Sequence, residues 1–288
     1  MTLSFYVNLI LGVVGLAIAP FLGGLIAGVD RKITARMQSR FGPPILQPFY
    51  DVLKLWGKEP MTVNAWLVLC SYLYVMSSAF AVFLFFAQAD LLLIFFVMTI
   101  GAVFQVVGAL SVPSPYSQVG AQRELLQMLV YEPLLILVFV GIAIQAGSFN
   151  ISSVYSLDTP LLYSMPALYL VLCMALTIKL RKSPFDFSAS QHAHQELVRG
   201  VLTEYSGPQL AILEVGHWLD TILILCFCSL FWATSWSGML LLLLITYFVE
   251  ILVDNITARL NWKWMLKMTL IPSVVLAMIN LLLLHAIK

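Results

Sequence analysis

Residues 183–207 read SPFDFSASQHAHQELVRGVLTEYSG and gather Asp186, Glu196, Glu204, His192, His194, Arg199 and Tyr205 in one polar stretch. Three carboxylates can hold and pass protons. Two histidines change charge near neutrality, so they can relay protons or bind a metal. A polar docking loop is the plainer reading, and it stays open here. Two further acids stand inside apolar runs: Glu132 in LVYEPLLIL and Glu250 in YFVEILV. An intramembrane carboxylate is costly and is by default a functional candidate. Glu124, Gln127 and Tyr131 fall on a face related to that of Glu132, so a polar track can lead inward. Pro133 removes one backbone hydrogen bond beside it. A protonated, purely structural Glu132 is the rival reading, and Glu250 has the same rival. Asp220 and Glu214 are expected near an interface, solvated or paired.

Redox and metal chemistry find less support. Cys70, Cys173, Cys226 and Cys228 all lie in apolar runs without C-x-x-C spacing. They read as buried small hydrophobes, with no iron–sulfur cluster and no disulfide. A haem sandwich needs facing histidines inside the membrane. Only His285 falls in an expected span, and it has no partner there. No metal and no cofactor is therefore expected in this chain.

The elements that must position these groups follow from composition. The chain is 61% hydrophobic and 10% charged, with a mean hydropathy of +0.96. Soluble domains carry about 25% charged residues. This is the composition of an all-α polytopic membrane protein, read as one integral membrane domain over 1–288. A net charge of +1 gives no grip on nucleic acid. A spanning helix needs about 20 apolar residues. Eight stretches qualify, near 3–28, 66–88, 91–112, 124–146, 161–180, 218–236, 238–253 and 268–287. No A-x-A-like site follows the first run, so no cleavable signal is expected.

Fourteen of the fifteen lysines and arginines fall in or at the edge of four connections, 29–65, 113–123, 181–217 and 254–267. The positive-inside rule then puts those loops in the cytoplasm and both termini outside a multi-pass plasma-membrane protein. In the first loop, Gly42-Pro43-Pro44 forbids a continuous helix. Beyond it, Leu46, Phe49, Leu53 and Trp56 share one side of 45–58. That pattern predicts an amphipathic helix along the cytoplasmic face. It is either an interfacial anchor or a ledge for a soluble partner.

With those residues in view, ARMQSRFGPPILQPFYDVLKLWGKE (35–59) resembles the first cytoplasmic loop of the H-subunit family of respiratory complex I. That family includes membrane subunits of energy-converting nickel–iron hydrogenases and formate hydrogenlyases. SPFDF…ELVRGVLTEYSG resembles its Pro-Phe-Asp…Thr-Glu-Tyr-Ser-Gly signature, VYEPLLIL its mid-chain Tyr-Glu, and DNITARLNWKWML (254–266) the last loop of the hydrogenase branch. The resemblance implies a subunit that anchors a redox arm and begins a chain of buried ionisable groups. Its proton or ion path would comprise Glu132, Asp186, Glu196 and Glu204, with Glu250 added from the bottom-up reading. Arm docking would fall to Arg36, Arg40, Gly42, Pro43, Pro44, Gln47, Asp51, Lys54, His192, His194 and Tyr205. The implied partners are hydrogenase large and small subunits, a ferredoxin-like iron–sulfur subunit and an antiporter-like membrane subunit. They would carry the iron–sulfur clusters and the nickel–iron centre.

Nine residues lie between Asp186 and Glu196, a longer spacer than in quinone-reducing members. It lacks their proline and two further acids, and Ser188-Ala-Ser-Gln-His-Ala-His-Gln stands there instead. That departure favours the hydrogenase branch over a quinone-binding member of complex I, with the two histidines as candidate substitutes for the missing acids. The expectation is a coupling subunit for ferredoxin-dependent hydrogen chemistry and H⁺ or Na⁺ transport. The alternative is a complex I member of the family, lining a quinone site between the first loop and 183–207. A stand-alone transporter is disfavoured, because no internal duplication is visible. A passive anchor would leave Glu132 unexplained.

Overall fold

The computed structural model describes residues 2–61, 63–182, 199–258, 260 and 262–287, with side chains from Tyr6 onward, those of His285 and Ile287 excepted. The described residues are nearly all helical. In order they form α1 (Thr2–Met37), α2 (Gln47–Trp56), α3 (Ala65–Phe86), α4 (Leu91–Leu110), α5 (Pro115–Ala146), α6 (Ile151–Tyr155), α7 (Leu161–Ser164) and α8 (Pro166–Lys179). After a 3-10 turn at Gly200–Leu202 come α9 (Gly207–Ser229), α10 (Trp236–Ile256), α11 (Trp262–Met265) and α12 (Ile271–Ile287). Residues 266–270 form a π turn that makes α11 and α12 nearly continuous. Local chemistry sets the boundaries. Asn64 and Asp90 cap α3 and α4 by accepting from Leu67 N and from Leu92 N and Leu93 N. Prolines open α5, α8 and α9, where a missing N–H costs nothing. Gly147, at φ 79°, ends α5.

Among the described residues, seven helices are long and apolar enough to span a bilayer. The sequence reading counted eight. The difference lies at 161–180, expected as one span, which breaks into α7 and α8. Pro166 disfavours helical backbone at the residue before it, and Met165 sits at φ −140° and ψ 59°. The remaining α8 has 14 residues, about 20 Å of helix, against about 30 Å of hydrocarbon. Such a break is tolerable only inside protein, and Leu161, Met165, Leu168, Val171, Leu172, Ala175 and Leu176 are all at most 2% exposed.

Several helices are longer than the apolar pattern implied. α1 runs to Met37, so Asp30, Arg31, Lys32 and Arg36 ride on it. α5 begins at Pro115, which absorbs nearly all of the expected loop 113–123. α9 begins at Gly207, so Glu214 and His217 lie on a membrane-spanning helix rather than in a loop. The expected helix in the first loop is present as α2. Its Phe49 turns inward, edge-on to Trp218 at 5.2 Å, while Leu46, Leu53 and Trp56 remain exposed.

The core falls into two zones. Toward one end, Phe85, Phe95, Phe139 and Phe227 pack edge to face around the fully buried Leu134, Leu135 and Val138. At the other, basic, end meet the C-termini of α1, α4, α8 and α10, the N-termini of α3, α5 and α9, and α2. Two glycines permit close approach there. A Cβ on Gly28 would fall on the Ile45 carbonyl oxygen, so the first loop lies directly on α1. A Cβ on Gly120 would lie 2.6 Å from Val201 N, so the 3-10 turn lies on α5. α1, α10 and α12 leave broad apolar faces outward, as a membrane bundle requires.

Candidate functional site: a buried ionic hub

The short helix α8 ends in three cations, Lys179, Arg181 and Lys182. The ending is a Schellman-type cap: Lys182 N donates to Thr177 O and Arg181 N to Ile178 O. Glycine usually takes the left-handed position of such a cap. Here Arg181 takes it, at φ 54°, a conformation that costs a non-glycine residue about 1–2 kcal/mol. The cap sends the three side chains in different directions, and the negative end of the helix dipole favours all three.

Each cation meets a carboxylate from a different helix. Lys179 Nζ is 3.3 Å from Asp220 Oδ2 on α9. Arg181 is 3.5 Å from Glu124 Oε1 on α5. Lys182 Nζ is 2.9 Å from Asp30 Oδ2 on α1. Lys182, Asp220 and Glu124 are at most 7% exposed. Asp220 stands 13 residues into α9, about 20 Å along the helix from its start.

Neutral groups complete the hub. Asp220 accepts from Tyr74 Oη at 3.0 Å and from Ser78 Oγ at 2.8 Å. Lys179 lies over the Tyr131 ring, 5.3 Å from its centroid. Arg181 donates to Gln105 Oε1 at 3.1 Å and contacts His217 Nε2 at 3.2 Å, while His217 Nδ1 is 2.9 Å from Tyr74 Oη. Tyr247 Oη donates to Asp30 at 3.2 Å, and Lys182 lies over the Tyr247 ring. The carboxylates most exposed to the cost of burial are thus held by cations, hydroxyls or both.

Two acids stand apart from the pairs. Glu250, 4% exposed, has Thr177 Oγ1 at 3.1 Å from Oε1, while its Oε2 is buried without a hydrogen-bond partner. Glu132 is half-buried, and its Oε1 is buried without a partner. Neither lies within ion-pair distance of a cation among the described residues. A carboxylate in such a place has a proton, a water or a moving cation as its natural counterpart.

Cavities lined by the described residues lie at the basic end beside the hub. The smallest, about 50 Å³, is lined by Asp30, Lys182, Glu214 and His217 among others. Two larger ones, about 350 and 400 Å³, lie along α2 and the first loop. Arg31, which pairs with Asp51 at 2.9 Å, lines all three. No cluster of three or more His, Cys, Asp and Glu is placed to hold a metal among the described residues.

The residues singled out from sequence divide as follows. Glu132 and Glu250 lie in the helix bundle. Glu204 is half-buried just beyond the 3-10 turn. Asp186, Glu196, His192 and His194 lie outside the described residues. Arg36, Arg40, Gly42, Pro43, Pro44, Gln47, Asp51 and Lys54 gather on the basic end at least partly exposed, with Gln47 donating to Asp51. Tyr205 differs from the other expected docking residues. Placed among docking residues, it is instead 4% exposed, its hydroxyl against Gly108 and Cys70. Burial pushes its pKa up, so it is a neutral phenol packed in the core. Sequence reasoning missed the hub itself. Lys179, Arg181 and Lys182 read as topology-setting flank charges, and His217 as a loop residue. The available signal was three cations within four residues at the end of an apolar run that Pro166 interrupts.

The NADH dehydrogenase family profile matches residues 9–285. Formate hydrogenlyase subunit 4 of Escherichia coli is 31% identical over an alignment that covers 91% of this chain and 90% of that protein. Hydrogenase-4 component C of the same organism is 33% identical over 69% of this chain and 67% of that protein. A subunit of the NADH-quinone oxidoreductase of Syntrophotalea carbinolica is 29% identical over 74% and 72%. A chain of the membrane-bound sulfane sulfur reductase, an archaeal respiratory membrane complex, superposes with a TM-score of 0.86 at 23% identity, over 96% of this chain and 99% of that one. That last likeness shows the fold.

Proposed function

We propose that this chain, which belongs to the NADH dehydrogenase family, is the membrane anchor and coupling subunit of an energy-converting nickel–iron hydrogenase. That it is a multi-pass membrane subunit of a hydrogenase-like or complex I-like assembly follows from its relatives. The finer reading is ours. A peripheral arm with hydrogenase large and small subunits and a ferredoxin-like subunit docks on the basic end, which faces the cytoplasm, with both termini outside. Electron transfer from ferredoxin in that arm changes the local charge. Low dielectric makes such a change strong at neighbouring ionisable groups, and the hub passes it as an ion displacement toward an antiporter-like membrane partner. The ion is H⁺ or Na⁺. The nickel–iron centre and the iron–sulfur clusters belong to the partners. Asp186, Glu196 and Glu204 extend the path toward the arm, and His192 and His194 stand in for acids absent from the spacer.

One observation carries this reading. Three buried ion pairs fan from the end of α8 to three helices, with Glu132 and Glu250 left over. A passive anchor has no use for acids it must bury without cations. The second reading, quinone reduction, has the two larger cavities beside α2 in its favour. Both are lined by Arg31, Asp51 and Arg199. The smaller adds Lys54, Lys58 and Glu214 beside the apolar Pro48, Val52, Leu55, Leu210 and Trp218, and the larger adds Asp30, Arg40 and Asp254 with little apolar wall. The larger cavity is a poor surface for an isoprenoid tail, and the smaller mixes apolar with charged walls. Metal analysis of the intact complex, isolated by a tag on this chain, separates the readings. About one nickel per copy supports the hydrogenase assignment. Iron and flavin without nickel would replace it with the quinone-linked one.

A further inference from the structure

We infer that His217, Tyr74 and Asp220 form a directional proton relay that draws from the small cavity at the basic end, with Arg181 as its gate. The inference rests on the coupling role proposed above, and assigns the inlet residues of that path.

The direction follows from donor inventory. Arginine only donates, so His217 Nε2, 3.2 Å from Arg181 NH1, accepts. The neutral imidazole then carries its hydrogen on Nδ1 and donates to Tyr74 Oη at 2.9 Å. With its oxygen accepting there, Tyr74 donates onward to Asp220 Oδ2 at 3.0 Å. All three hydrogen bonds point the same way, from Arg181 toward Asp220, and Lys179 stands beyond as the counter-charge to Asp220. Random burial of polar groups has no reason to give an unbroken, uniformly oriented chain that spans α8, α9 and α3.

The source is at hand. His217 lines the cavity of about 50 Å³ together with Asp30, Glu214 and Lys182. One water needs only about 10–15 Å³ of such space. Arg181 leaves Nε2, and a hydronium in the cavity places a proton there, becoming water. The Nδ1–H proton moves to Tyr74 Oη as the Tyr74 hydroxyl proton moves to Asp220. The ring is left neutral as its Nε2–H tautomer, Tyr74 remains a phenol, and Asp220 has gained one proton. Lys179 then faces a neutral acid, and the charge imbalance drives the proton onward. Return of Arg181 requires the original tautomer, so each passage needs a reset.

The gate has room to move. Arg181 contacts Glu124 at 3.5 Å, longer than the 2.7–2.9 Å of a tight charge-assisted bond. Closing on Glu124 takes the guanidinium off His217. While it donates to Nε2, that nitrogen has no lone pair for a proton and its positive charge repels one. The relay is therefore shut by default.

The test uses the intact complex in pyranine-loaded liposomes, energised with the reductant its native membranes accept. His217→Gln is the decisive variant. A glutamine amide can accept from Arg181 and donate to Tyr74, which keeps the connections, but it cannot shuttle a proton. The expected result is unchanged electron transfer with proton movement down by about tenfold or more. Tyr74→Phe gives the same loss and removes any solvent deuterium effect on proton movement. Arg181→Gln raises passive proton leak in the absence of reductant, which a merely structural arginine would not do. Wild-type pumping in His217→Gln or Tyr74→Phe, or no added leak in Arg181→Gln, overturns the relay. Asp220→Asn separates the two levels. If Asp220→Asn abolishes pumping while His217→Gln does not, the relay fails and the coupling role stands. If every variant pumps as wild type, the relay fails and Asp220 lies off the ion path, while the coupling role falls only if Glu132→Gln and Glu250→Gln pump as wild type too. A wild-type complex that moves only Na⁺ also overturns the relay.

Discussion

Removal of the Asp220 charge tests the hub as a structural unit. Asp220 receives the Lys179 ion pair and two hydroxyl hydrogen bonds, from Tyr74 and Ser78. Asp220→Asn keeps the size and shape but leaves the Lys179 ammonium buried, with an aromatic face as its main remaining neighbour. Loss of one partner of a buried ion pair costs about 3–5 kcal/mol, because the other charge is left uncompensated. Lys179→Met should cost less. The Asp220 carboxylate keeps both hydroxyl donors, each charge-assisted bond contributing about 1.5–3 kcal/mol, and it can also take up a proton. The double variant removes both charges and should be closer to wild type than Asp220→Asn, since apolar replacement of a buried pair is often neutral. The assay is equilibrium unfolding of the purified chain in mixed detergent micelles, read as a double-mutant cycle. A coupling energy of about 2 kcal/mol or more is expected. Strict additivity, or Lys179→Met more damaging than Asp220→Asn, would refute the pairing.

Other consequences are simpler. Gly28→Ala puts a methyl group on the Ile45 carbonyl oxygen, and overpacking of this kind costs about 1–3 kcal/mol. It should displace the first loop and lower the yield of complex recovered with its peripheral arm, measured by pull-down. Tyr205→Phe should be neutral to within about 1 kcal/mol, because the buried hydroxyl it removes has no partner; a drop in assembled complex would show a hidden one. Cysteine labelling from each side of sealed vesicles should find exposed positions at Arg40 and Lys54 reactive from the cytoplasm and the N-terminus from outside.

Much of the architecture was legible because lipid imposes a simple pattern. Apolar length located the helices, and basic asymmetry grouped their ends. The errors share a cause. α1, α5 and α9 extend past the apolar windows because their polar turns face partners inside the bundle, as Asp30 faces Lys182 and His217 faces Tyr74. A hydropathy window cannot tell a polar residue met by a buried partner from one met by water. α7 and α8 read as one span because Pro166 passes for a tolerated helix proline until Met165 is seen to leave helical backbone. Glu132 and Glu250 were visible as acids in oil. Their lack of cations was not, since pairing depends on which of three adjacent cations each helix receives. The burial of Tyr205 was not legible, because motif membership says nothing about the direction of a side chain.

The proposed role makes this chain couple electron transfer to ion movement through its intramembrane acids. The most direct measurement is the number of ions translocated per pair of electrons by the intact complex in sealed vesicles, wild type against Glu132→Gln and Glu250→Gln. Electron transfer should be largely retained and ion translocation lost in both variants. Translocation at the wild-type ratio in both would contradict it, and leave the chain an anchor.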